Sequence, residues 1–182
     1  VTIRADLVAE DSFRSAGSID ADVPPFPGVY AIRLRTEGTL PEPFDSLLQA
    51  RSSRLIYIGK ATSLEGRMLR NELRGRGHGT FFRSIGAVLG YRPLAGSLAT
   101  KVNKYNYSFE RPDRAAIGDW INANLDVSWR EVPLADVRIA EAALITEHRP
   151  LLNLDGNPLA LAELDELRVL CRKIASGPAR AL

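Results

Sequence analysis

Apolar and polar positions alternate through Val29-Tyr30-Ala31-Ile32-Arg33-Leu34, a run led in by Pro24-Pro25-Phe26-Pro27-Gly28, and the period of two predicts a strand. Arg54-Leu55-Ile56-Tyr57-Ile58-Gly59 is a second β-rich run, expected to pair with the first as an antiparallel hairpin with an enlarged loop. That loop, residues 36–53, holds Gly38, Pro41 and Pro43 and reads as a long polar connection. Ser63 stands where it can cap a helix over 64–73, which the glycine-punctuated Arg74-Gly75-Arg76-Gly77-His78-Gly79 ends. Helical spacing returns over 80–89 through Phe81, Phe82, Ile85, Val88 and Leu89. Residues 91–109 are irregular and basic. Pro112 and Asp113 then open a helix carrying Ile117, Trp120 and Ile121. Alternation over 127–132 predicts a third strand, and Pro133 opens a helix that Pro150 closes. Asn157-Pro158 opens a last helix, ending near residue 176, with Leu164, Leu167, Cys171 and Ile174 as its stripe. The expected fold is α+β: a small antiparallel three-stranded sheet flanked by helices.

Composition narrows the class. The chain has 182 residues, 45% hydrophobic and 25% charged, which suits one globular domain that buries its core without staples. Cys171 is the only cysteine, so an internal disulfide framework and a Cys-based zinc finger are excluded. A reducing, cytoplasmic setting is the expectation. No apolar run approaches the ~18 residues of a membrane span, and no membrane partner is expected. Val1 opens no secretory leader pattern, and the missing initiator Met is read as trimming of N-terminal residues.

Charge is distributed unevenly. Residues 1–50 carry a net −4, residues 51–104 a net +9 and residues 105–182 a net −3. The middle segment points either to a polyanion partner or to a solvated basic face balanced by acidic neighbours in space. Arginine outnumbers lysine 20 to 4, which suits bidentate phosphate contacts, although genomic base composition produces the same bias.

A few polar residues break the apolar pattern. Glu141 lies on the stripe of Leu134, Val137, Leu144 and Ile145, where a carboxylate is costly unless paired, hydrogen-bonded or bound to a metal. From the helix alone a buried ion pair with an arginine is the favoured reading. Tyr30 and Tyr57 sit near the centres of two strands expected to be neighbours; packing alone explains either. Lys60 beside them favours a phenolate and lowers its pKa. Arg67, three residues after Leu64, is placed to face the same surface.

Together these residues resemble the GIY-YIG nuclease superfamily. Gly28-Val29-Tyr30 stands for its first tripeptide and Tyr57-Ile58-Gly59 for its second, with Lys60 directly after. Arg67 lies ten residues past Tyr57, as the family's helix arginine does, and Glu141 matches its metal-binding glutamate. Pro150 and Asn153 supply the closing Pro-x-x-Asn. The resemblance covers residues 26–73 and 126–154 well and the stretch between them poorly.

The resemblance implies one GIY-YIG-like domain over residues 1–182, with a lead-in over 1–24, a basic insertion over 75–125 and a C-terminal helix over 157–176. It implies hydrolysis of a DNA phosphodiester with one divalent ion, Mg²⁺ or Mn²⁺, held by Glu141. Arg67 would stabilise charge on the scissile phosphate, and a phenolate of Tyr30 or Tyr57, with a slight preference for Tyr30, would take the proton from water. Lys60 would depress that pKa and touch the phosphate. Asn153 would orient Glu141 or its neighbours, and Gly28 and Gly59 would permit close backbone approach. Four residues after the arginine, many members have His or Tyr; this chain has Asn71, which cannot titrate. His78 either fills that role or is an exposed loop histidine.

Arg70, Arg74, Arg76, Arg83, Arg92, Lys101 and Lys104 are candidate DNA-phosphate contacts. Tyr105 and Tyr107, with Asn103 and Asn106, are candidates for base edges, and a disordered basic loop is the alternative. The terminal helix either packs on the core or forms a dimer seam; its narrow stripe favours packing within the chain. Specificity would then reside in the insertion, in a homodimer or in a partner protein. Two further readings remain: a DNA-binding module that keeps the fold without cleaving, and a small-molecule phosphodiesterase.

Overall fold

A computed structural model describes residues 7–51 and 53–178. Residues 1–6 of the expected lead-in, the Val1 start among them, and Ser52 of the expected connection lie outside the described residues. Four strands, β1 (Arg14–Ser15), β2 (Gly28–Leu34), β3 (Leu55–Ala61) and β4 (Leu125–Glu131), form one antiparallel sheet in the order β1-β4-β2-β3. The expected three-stranded sheet is therefore corrected to four. The added strand is two residues long, Arg14 and Ser15 against Val127 and Asp126, too short to carry a periodic signal.

In the central strand β2, Tyr30 stands opposite Gly59 and Trp129, and Ile32 opposite Tyr57 and Val127. Period two then sorts the side chains. Val29, Ala31 and Ile58 pack with Val137, Leu144 and Ile145 of α5 (Val137–His148) on one side. Tyr30, Ile32 and Tyr57 face the other side, where the larger core lies. That side is covered by α2 (Glu65–Leu73), α3 (Thr80–Val88), α4 (Arg111–Asn124) and α6 (Ala162–Ser176).

Three expected elements change. The 36–53 connection contains a short helix, α1 (Phe44–Gln49), which buries Phe44 and Leu48 one turn apart and uses Asp45 to accept the Leu40 N–H at 2.9 Å. The α5 helix begins at Val137 rather than Pro133, which leaves Leu134 61% exposed and off the apolar stripe. The α6 helix begins at Ala162 because Asn157 is committed elsewhere: its amide donates to the Pro150 and Asn153 carbonyls at 2.7 and 2.9 Å. The C-terminal helix packs within the chain, burying Leu164, Cys171 and Ala175.

The outer edge of β3 is closed by the chain after α5. Leu151 and Leu152 donate to the Leu55 and Ile56 carbonyls at 3.3 and 2.7 Å. Asn153 continues the ladder with its side chain, accepting the Ile58 N–H at 2.9 Å and donating to the Ile58 carbonyl at 2.8 Å. An edge that would otherwise present free backbone groups is thereby satisfied.

Candidate active site

Tyr57 and Lys60 leave opposite faces of β3, the first toward the α2 side and the second toward α5. A cleft of about 440 Å³ at this end of the strand collects both sides, and Tyr30, Tyr57, Lys60, Arg67 and Glu141 all line it. Val137 and Leu144, flanking Glu141 on α5, pack toward the sheet and hold the carboxylate at the cleft. Glu141 pairs with Lys60, not with an arginine.

The two phenols lie 6.3 Å apart between ring centroids, and Tyr57 meets Phe81 of α3 at 5.3 Å. Gly59 carries no side chain because a Cβ there would strike the Tyr30 ring, and a Cβ at Gly28 would strike the Arg130 carbonyl and Leu64. Burial pushes both phenols up. Glu72 and the Tyr57 phenol push Tyr30 further up, whereas the Arg67 guanidinium pulls it down. Tyr57 is raised further by Glu72 and Glu141 and lowered by Arg67 and Arg168. The expected lowering by Lys60 is thus corrected: burial dominates, and Lys60 is engaged by Glu141.

Arg67 is held from several directions. Its Nε pairs with Glu72 Oε1 at 3.0 Å, Nη1 donates to the His78 carbonyl at 3.3 Å, and Nη2 to Thr80 Oγ1 at 3.3 Å. The winding of α2 explains the partner. Ser63 stands before it, accepting the Gly66 N–H at 3.2 Å, but the helix is of the π type. In an α-helix Arg67 would share a face with Asn71; with i→i+5 winding it shares one with Glu72. Asn71 instead packs its amide against Gly77 in the glycine-rich turn. His78 is exposed, and its side chain does not line the cleft. Asn153 grips the backbone of Ile58, beside Tyr57, rather than Glu141.

The basic candidates divide. Arg70, Arg76 and Lys104 are exposed, Arg70 pairing with Glu65 at 2.7 Å and Lys104 donating to the Leu98 carbonyl at 3.1 Å, and Lys101 is half-buried. Arg74 is an internal staple, donating to the Ala16 carbonyl at 2.7 Å and Asn122 Oδ1 at 2.8 Å and pairing with Asp20. Arg83 is buried, and Arg92 spends Nη1 on the Ala87 and Tyr91 carbonyls at 3.1 and 2.8 Å. Tyr107 is buried as well, whereas Tyr105 is exposed beneath the Arg172 guanidinium. Sequence reasoning missed two residues here. Glu72 carried a signal, being one of only two acids among residues 51–104. Arg138 lines the cleft from α5, one turn before Glu141.

A second cavity, about 320 Å³ at the other end of β2, also holds arginines, but these are committed. Arg33 pairs with Glu10 at 2.6 Å, Arg35 with Asp126 at 2.8 Å, and Arg54 donates to the Leu34 carbonyl at 3.0 Å. Among the described residues lining the cleft, Glu141 is the only carboxylate, and no group of three or more His, Cys, Asp or Glu gathers among the described residues. This donor set fits a mostly hydrated divalent ion held by one carboxylate and a substrate phosphate, not an all-protein cage.

A four-stranded antiparallel sheet flanked by helices, with an Arg, a Glu, a Lys and two tyrosines lining one cleft, defines an α+β domain with a candidate catalytic site. The chain belongs to the GIY-YIG catalytic domain family, which it matches over residues 28–173. This is a nuclease family whose members generally depend on a divalent metal and act on DNA. Comparison with curated proteins and with solved structures finds no match.

Proposed function

We propose that this chain is a Mg²⁺- or Mn²⁺-dependent DNA endonuclease that hydrolyses phosphodiester bonds at the β3 cleft. The observation that carries the reading is convergence: side chains from β2, β3, α2 and α5 line a single cleft. Glu141 would hold the ion, which when bound neutralises a phosphate oxygen and the leaving 3′ oxygen. Arg67 has five N–H donors, of which Glu72, His78, Thr80 and the Tyr30 hydroxyl engage at most four, so a donor remains for the scissile phosphate. Tyr30 is the favoured base, since Arg67, which opposes the effect of burial on both phenols, also hydrogen-bonds the Tyr30 hydroxyl; it takes a proton from the attacking water. Lys60, released from Glu141, contacts the phosphate.

Arg70, Arg76, Lys101 and Lys104 supply sequence-independent phosphate contacts along the duplex. A second copy or a partner protein would supply the second site for cutting both strands at once. The closed Lys60–Glu141 pair would also suit a DNA-binding module that does not cleave. Supercoiled plasmid incubated with Mg²⁺, Mn²⁺ or EDTA separates the two. Metal-dependent nicking by the wild type and its loss in Glu141→Ala support the endonuclease. A plasmid left intact by both proteins over several metals and substrates supports the binding module.

A further inference from the structure

We infer that Glu72 is a positioning residue that fixes the Arg67 guanidinium toward the cleft, an inference that rests on the cleavage reading above for its kinetic consequence. Glu72 is fully buried. Its Oε1 forms an ion pair with Arg67 Nε at 3.0 Å and accepts from the Thr80 N–H at 3.1 Å, and its Oε2 accepts from the Phe82 N–H at 3.2 Å. One carboxylate therefore joins the arginine of α2 to the N-terminus of α3, where the helix dipole favours negative charge. Burial pushes the Glu72 carboxyl up, while Arg67 and the two N–H groups pull it down.

Capping α3 alone does not require this arrangement, because a short polar side chain at the helix start would serve. What the carboxylate adds is direction for Arg67. The same turn supplies the other two anchors, the His78 carbonyl and Thr80 Oγ1. Gly79 lets that turn lie against the carboxylate, since a Cβ there would strike Glu72 Oε2 and the Asn71 carbonyl. Phe81, next in the chain after Thr80, packs on Tyr57, so the anchored turn also reaches the phenol pair. A long, rotamer-rich side chain is held in one orientation before substrate arrives, which is what charge stabilisation without reorganisation demands.

Glu72→Gln tests this, since it keeps the size and an oxygen acceptor for one of the Thr80 and Phe82 N–H groups while removing the ion pair. Single-turnover cleavage is expected to fall roughly 10- to 100-fold, the range shown by outer partners of site groups. Metal-free DNA affinity is expected to stay within about threefold. Arg67→Ala combined with Glu72→Gln should cleave no more slowly than Arg67→Ala alone, because both act through one group. Nitrogen-15 spectra give a readout independent of cleavage. The Arg67 Nε–H signal, assigned by its loss in Arg67→Lys, should exchange slowly in the wild type and move to the position of a free arginine in Glu72→Gln. Thr80→Val, which leaves Glu72 intact, should show a smaller cleavage loss of the same kind.

A Glu72→Gln protein that cleaves at the wild-type rate would overturn the inference, as would multiplying losses in the double variant. A wild-type Nε–H that exchanges like a free arginine would overturn it even if Glu72→Gln fails to fold. If the wild type cleaves nothing while its Nε–H behaves as expected, the positioning stands and the endonuclease reading falls.

Discussion

Lys60 and Glu141 form an ion pair at the cleft, an ammonium from β3 meeting a carboxylate from α5. Their side chains are 44% and 16% exposed, so the pair is open to exchange with ions and phosphate. Under the proposed function, a metal ion on Glu141 would compete with Lys60. Lys60→Met should therefore lower the Mg²⁺ concentration giving half-maximal cleavage by about two- to fivefold, the range of an ion pair worth about 0.5–1 kcal/mol. The maximal rate should fall at the same time, because the phosphate loses a cation. Mg²⁺ titration of single-turnover cleavage checks both, and an unchanged or raised half-saturation point contradicts the competition.

The buried phenols make stability depend on pH. In the unfolded chain tyrosine ionises near an ordinary pKa of about 10. Folded, Tyr30 and Tyr57 keep their protons above that value. The native state then binds more protons than the unfolded state, so stability is full below about pH 10 and is lost as pH rises toward the folded pKa values. Urea unfolding between about pH 8 and 11 should show this fall, and Tyr57→Phe should make it shallower. A slope unchanged by Tyr57→Phe would contradict the account. The same burial shapes catalysis: a phenol that must ionise to act as base makes the cleavage rate climb with pH without levelling below about 10.

Asn153 is predicted to act through stability and strand position rather than metal binding. Asn153→Ala leaves the buried Ile58 N–H and carbonyl without their partners, at a cost of about 1–3 kcal/mol. Chemical denaturation should register that loss, while the Mg²⁺ dependence of the remaining cleavage stays that of the wild type. A large change in half-saturating Mg²⁺ with intact stability would place Asn153 at the ion instead.

Arg138 is exposed at the cleft. As a phosphate contact it should weaken DNA binding evenly across sequences when replaced. Arg138→Ala is expected to reduce the slope of log affinity against log salt by roughly 1. An unchanged slope would remove it from the DNA interface.

Much of this was legible in the chain because strands follow short-range periodicity and the candidate site residues stand in the order and spacing of the family they resemble. The alternation around Tyr30, Tyr57 and Trp129 located β2, β3 and β4, and the spacing of Arg67 and Glu141 located the site residues on their helices. What was not legible depends on long-range contacts. Arg14 and Ser15 become a strand only because β4 offers an edge. Phe44 and Leu48 form a helix face in a proline-rich stretch because the core receives them. Arg74 reads as a DNA contact until Asp20 and Asn122 arrive from distant segments. Glu72 was hidden by helical convention, since α-helical spacing pairs Arg67 with Asn71 and π winding pairs it with Glu72.

The most direct test of a metal-assisted hydrolytic cleft is single-turnover cleavage of a duplex in ¹⁸O-labelled water, comparing the wild type with Glu141→Ala. The account predicts Mg²⁺-dependent cutting by the wild type, with a new 3′ hydroxyl and one ¹⁸O in the new 5′ phosphate. It predicts a loss of roughly 10²–10⁴-fold in Glu141→Ala, the several kcal/mol of a metal's charge stabilisation, with metal-free DNA affinity retained. Cleavage by Glu141→Ala at the wild-type rate, or a 5′ phosphate without solvent oxygen, would contradict it.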